Sequence, residues 1–242
     1  MDTSREDTTP DHGELEALHA FALWMHETRA QAVAAVVAAL RAAPRGELDD
    51  WLAVMCRALP ARPRGQGGVA GRLRALDDRL RSERTVPALD HPLVAGDDRR
   101  LRVLQREMQR ACLVAVVQAL RPGWGAVFVM HTVLGLTEPR IAAILGTTAD
   151  AIVEMRRGAI RKLADYLDAR CQHIDPRNMC SCASRVGVAL QTRFIDWPDH
   201  DAPSERPFDA ARRQVAAVYA ELPAVRLSSA AAGELVAAAR RG

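Results

Sequence analysis

Two groups of residues have types and spacings that could do chemistry. The first is Cys171, His173, Cys180 and Cys182. Thiolate and imidazole suit zinc, and four such ligands complete a tetrahedral site, so zinc is the cofactor these side chains could hold. Cys-x-His and Cys-x-Cys leave one intervening residue, where structural zinc sites favour two to four. The same thiols could instead act as a redox pair, or lie reduced in a partly buried loop. The second group is basic. Arg156, Arg157, Arg161 and Lys162 crowd one helical stretch and could meet the phosphates of nucleic acid, which dominate its affinity for proteins.

Other chemistry finds no support in the residues. There is no Gly-rich phosphate loop, no local Ser/His/Asp arrangement and no carboxylate pair at helical metal spacing, so the chain does not read as an enzyme. His19, His26 and His131 fall among apolar neighbours and read as packed or surface residues. Cys56 and Cys112 sit on apolar helical faces and read as core. Trp24, Trp51, Trp124 and Trp197 are scattered and form no stacking platform for single strands.

The elements that must position the basic group are legible from local signals. Thr137 can cap a helix over Glu138–Leu145, with Pro139 in the first turn where its missing N–H does no harm. Gly146 ends that helix, and Thr148 caps the next, Ala149 to about Leu167. A short capped helix, a Gly turn and a second capped helix is the layout of a helix-turn-helix. Ile141, Ile144, Leu145 and Ile152 face inward. Asp150, Ala151, Glu154, Met155 and Arg157 lie near the outward face, where the start of a helix reaches base edges in the major groove. Two packed helices with a solvated basic face would show the same pattern.

Outside this segment, apolar residues recur at helical spacing over 15–25, 29–43, 48–59, 99–120 and 124–134. A short charged helix fits 72–84. Pro60 and Pro63 break the third run, 61–71 is a basic Arg/Pro/Gly stretch, and 85–98 reads as a linker. Residues 171–208 hold Cys, Pro and Asp and read as loop-rich, followed by helices over 210–222 and 229–241. Hydrophobic residues make up 49% of the 242 residues but aromatics only 4%. Ala-rich, aromatic-poor composition favours helices over sheets, so the expected fold is all-α: domains at 13–84 and 99–170, joined by the linker, with an extension at 171–242. The net charge of +3 is carried almost wholly by Arg, Lys162 being the single lysine. No stretch approaches the roughly 20 apolar residues of a membrane span. The polar, acidic start lacks a signal-peptide pattern, so a cytoplasmic protein with reduced cysteines is expected.

The run from Gln118 through Pro122-Gly-Trp, the apolar helix to Leu134, Gly135-Leu-Thr137 and on to Gly146 resembles region 4 of extracytoplasmic-function (ECF) bacterial sigma factors. The similarity covers 112–170 well. Residues 15–59 resemble a shortened region 2, and the segment from Cys171 to Cys182, with 211–223, is similar to the Cys-containing extension of one subset of the family. The resemblance implies a promoter-specificity subunit that joins core RNA polymerase through region 2 and reads promoter double-stranded DNA through region 4, sometimes under an anti-sigma factor. It places polymerase contacts at Gln31, Arg41 and Trp51, and DNA contacts at Thr148, Asp150, Ala151, Glu154, Met155, Arg156, Arg157, Arg161 and Lys162. The chain departs from the family in an Ala-Val-rich second helix without acids, in Pro60 and Pro63, and in Ile152–Met155, where the family carries basic residues. These departures frame an alternative: a sigma-derived regulator or partner-binding protein that no longer melts promoters.

Overall fold

A computed structural model describes residues 10–59, 68–80, 92, 94, 96–196, 212–222 and 226–241. Among them every regular element is a helix: α1 (His12–Met25), α2 (Arg29–Ala42), α3 (Leu48–Ala58), α4 (Gly68–Leu80), α5 (Asp98–Gln118), α6 (Pro122–Thr132), α7 (Glu138–Leu145), α8 (Ala149–Leu167), α9 (Cys182–Gln191), α10 (Val215–Ala220) and α11 (Ser229–Arg240). The expectation of an all-α chain holds for these residues. None of the helices is long and apolar enough to cross a membrane.

Local side-chain chemistry fixes the starts of these helices. Asp11 accepts from the Glu14 N–H while Glu14 accepts from the Asp11 N–H, a reciprocal cap that begins α1 at His12. Thr28 and Gln31 do the same for α2. Asp97 takes the N–H groups of Arg99 and Arg100 at the head of α5. Pro122 occupies the first position of α6; the residue that ends one apolar run therefore opens the next helix.

The helices group into two compact units assembled from separated stretches of chain. Unit 1 takes Met1–Arg62, Arg121–Ala159 and Ala224–Gly242; unit 2 takes Pro63–Leu120 and Ile160–Pro223. These groupings interleave segments expected in successive domains. In unit 1, α2 packs against α1, α3 and α11, while α6 packs on α1 and α7 on α3. Leu18, Phe21, Trp51, Leu52, Phe128 and Met130 are sealed in its core. Each such side chain contributes roughly 1.5–3 kcal/mol of burial free energy. Polar ties join distant parts of this unit; in one, Glu16 of α1 accepts from the Leu227 N–H at 3.1 Å. The Arg41 guanidinium donates to the Ala238 and Ala239 carbonyls at the end of α11 (2.7 and 3.2 Å), and Arg140 of α7 pairs with Asp49 of α3 at 2.9 Å. In unit 2, α9 packs against α5 and α4, and the buried Tyr219 hydroxyl of α10 donates to the Leu113 carbonyl at 3.1 Å.

Within the loop-rich stretch expected at 171–208, α9 occupies Cys182–Gln191. Ser181 accepts from the Ser184 N–H to start it, and Val186, Val188, Ala189 and Leu190 are buried. Packing of that apolar face outweighs the low helix propensity of Cys, Ser and Gly. The charged helix expected at 72–84 runs from Gly68 to Leu80, and the helix expected at 210–222 is shorter, Val215–Ala220. Pro60, Pro63, the stretch 61–67, most of the linker 85–98 and Trp197 lie outside the described residues.

Candidate functional site

The α7–α8 pair is built as its sequence demands. Gly146 takes the left-handed conformation (φ 63°, ψ 42°) between the two helices, which costs a residue with a Cβ roughly 1–2 kcal/mol and glycine little. The Thr148 hydroxyl accepts from the Ala151 N–H at 3.3 Å. Ile141, Ile144 and Ile152 are buried, so they close the angle between the helices from inside.

The expected DNA contacts fall into three settings. Thr148, Asp150, Glu154 and Arg157 are exposed. Residues 150, 154 and 157 follow i, i+4, i+7 spacing and so form one row along α8. Arg157 pairs with Glu154 at 3.0 Å, each side chain about two-thirds exposed (64% and 67%). An exposed pair of this kind is worth about 0–1 kcal/mol, so a phosphate could take the guanidinium from Glu154 at little cost. Ala151 and Met155 are half-buried; a Cβ added at Gly123 would meet Met155 Cε at 3.2 Å.

Arg156 is turned elsewhere. It is 27% exposed and its Nη2 lies 3.4 Å from Glu138 Oε1, which also lies 3.2 Å from His131 Nε2. A hydrogen bond from its own backbone N–H, followed by the His131 and Arg156 charges, holds the Glu138 carboxyl below its ordinary range. Arg156 thus ties α8 to α7. One residue along a helix turns the side chain by about 100°, which separates it from Arg157. Arg161 and Lys162, further along α8 and within unit 2, are exposed, and Lys162 pairs with Asp165 at 3.1 Å.

The residues expected to meet polymerase are all engaged within the chain. Gln31 completes the α2 cap, Arg41 holds the end of α11, and Trp51 is 1% exposed with its indole N–H on the Ala43 carbonyl at 2.8 Å.

The four expected zinc ligands come together as two neighbouring pairs. His173 Nε2 lies 3.3 Å from Cys182 Sγ. Cys171 and Cys180 pair across an isolated parallel bridge. Among the described residues, no group of three or more His, Cys, Asp or Glu side chains is arranged to hold a metal ion. A further thiol, expected in the core, lies close to this cluster. Cys112 of α5 lies near enough to Cys171 and Cys180 for their charges to add to burial in raising its thiol to about 12. Only the return of the chain after α8 supplies these neighbours.

His173 gives this cluster a pH signature. Burial first, then the Arg106 and Arg213 charges, push its imidazole down to about 4. In the unfolded chain the ring takes its proton near 6.5, so between the two values the unfolded state binds more protons. The stability this neutral ring contributes is complete above about pH 6.5 and is lost as pH falls toward about 4. The urea midpoint is expected to fall across that window, in part also through His19, whose pKa burial lowers as well. His173→Gln should flatten part of the fall; an identical profile in the variant would contradict the assignment.

Comparison with protein-family models, with curated proteins and with solved structures returned no match.

Proposed function

We propose that the protein is a DNA-binding transcription factor of the ECF sigma type, acting in the cytoplasm with core RNA polymerase and reading promoter duplex through α7 and α8. The observation that carries this reading is the α7–Gly146–α8 turn with its exposed row at 150, 154 and 157. It supports the order of features over 118–146 that resembles region 4. The row differs from a purely basic surface. Asp150 and Glu154 lie toward the start of α8, where carboxylates could accept from cytosine amino groups, and Arg157 lies where phosphate contact would position the helix.

A second reading has its own support. Gln31, Arg41 and Trp51 are engaged internally, and the Ala-Val face of α2 is packed against α1, α3 and α11. These facts favour a sigma-derived regulator that binds DNA, or a partner such as an anti-sigma factor, without melting promoters. Transcription in vitro from genomic fragments with core polymerase separates the two. Initiation that depends on this protein supports the sigma reading. DNA or partner binding without initiation supports the regulator. Absence of DNA binding, core-enzyme binding and anti-sigma partner binding alike would overturn the pair.

A further inference from the structure

We infer that Cys171 and Cys180 are the site of a reversible intramolecular disulfide, formed by exchange with a low-molecular-weight disulfide. The backbone sets their separation. The Cys180 N–H donates to the Arg170 carbonyl and the Gln172 N–H donates to the Cys180 carbonyl, both at 3.2 Å. These bonds bracket Cys171 and make it the direct neighbour of Cys180. Backbones paired across a bridge lie about 4.8 Å apart, inside the roughly 4.4–6.8 Å that a disulfide spans between Cα atoms. Side chains paired across such a bridge leave the backbone on the same side.

The loop between them is already closed by other bonds. Asn178 Nδ2 donates to the Asp168 and Cys171 carbonyls (2.8 and 3.1 Å). The Ile174 and Asp175 N–H groups donate to the Cys171 carbonyl, and Asp175 accepts from the Arg177 N–H and guanidinium. Bond formation therefore needs no new ordering of the loop, and both cysteines are partly exposed to solvent. The other thiols fit less well. Cys182 is held against His173, and Cys112 sits on α5, outside the bridge that pairs Cys171 with Cys180.

The exchange balances in two steps. One protein thiolate attacks the small disulfide, forming a mixed disulfide and releasing one small thiol. The second protein thiolate attacks the bonded protein sulfur, forming the Cys171–Cys180 bond and releasing the second small thiol. The protein pair gives up two electrons and two protons, and the small disulfide takes up both. Exchange proceeds through the thiolate, so it accelerates as pH rises.

The test uses the full-length reduced protein in a series of glutathione buffers, quenched with acid and mapped by mass spectrometry. The expected product lacks two hydrogens, links the peptides containing Cys171 and Cys180, and returns to the dithiol with excess reduced glutathione. Its thermal midpoint rises by roughly 5 °C, the scale for cross-linking a short loop in a chain of this size. Cys112→Ser and Cys182→Ser should still form the bond. Cys180→Ser, checked for native helicity by circular dichroism, should stop at a glutathione adduct. A dominant link to Cys112 or Cys182, glutathione adducts alone in the wild type, or one tightly held zinc ion per chain that protects all four thiols would each overturn the assignment.

Discussion

Trp51→Ala is expected to destabilise the protein by about 3–5 kcal/mol, the range for truncating a large aromatic in a packed core. Trp51 is 1% exposed, and its indole N–H reaches the Ala43 carbonyl. That carbonyl also accepts from the Gly46 N–H at 2.9 Å, so the loss is chiefly packing and cavity, not an orphaned acceptor. The melting midpoint should fall by roughly 10 °C. The result also separates two roles for this residue. A core role predicts a large loss of stability. A surface contact to polymerase predicts unchanged stability with weakened binding of core enzyme.

Gly158→Val is the second large expected effect, at about 3 kcal/mol for overpacking a close contact. A Cβ at Gly158 would stand 2.6 Å from Trp124 Cη2 and 2.7 Å from Cζ3. The ring is not free to swing without loss, because the Arg121 guanidinium lies 5.4 Å over it. The glycine is therefore what lets α8 lie close to α6. Chemical denaturation should show the loss together with a shift in tryptophan emission. Gly146→Ala makes a contrast, since open space surrounds that position and the strain there is conformational, from φ +63°. Equal stability of Gly158→Val and the wild type would mean that α6 and α8 do not meet at this point.

What the sequence revealed and what it hid follow from the range of the interactions involved. The bounds of α7 and α8 were legible because Thr137, Pro139, Gly146 and Thr148 act within a few residues of themselves. The start of α9 was legible in principle: Ser181 precedes Val186, Ala189 and Leu190 at helical spacing. The Cys, Pro and Asp of 171–208 suggested a loop-rich stretch instead. The two-unit grouping was not legible. It rests on contacts such as Arg41 with Ala238 and Asp49 with Arg140, which join residues far apart in the chain. Arg156 shows the same limit on a smaller scale. Its charge suggested phosphate, and its position in the helix gave no warning of Glu138. Cys112 looked like a core residue because one helix cannot report what a later segment brings beside it.

Binding of a fluorescent DNA duplex, followed by anisotropy from about 50 to 200 mM salt, tests the central proposal most directly. The wild type should bind with an affinity that falls linearly on a log–log plot. Arg157→Ala, which removes an exposed side chain and no core contact, should bind more weakly, with a slope smaller by about one phosphate's worth. No binding of duplex by the wild type, or an identical slope in the variant, would contradict the assignment of α8 as the DNA-reading helix.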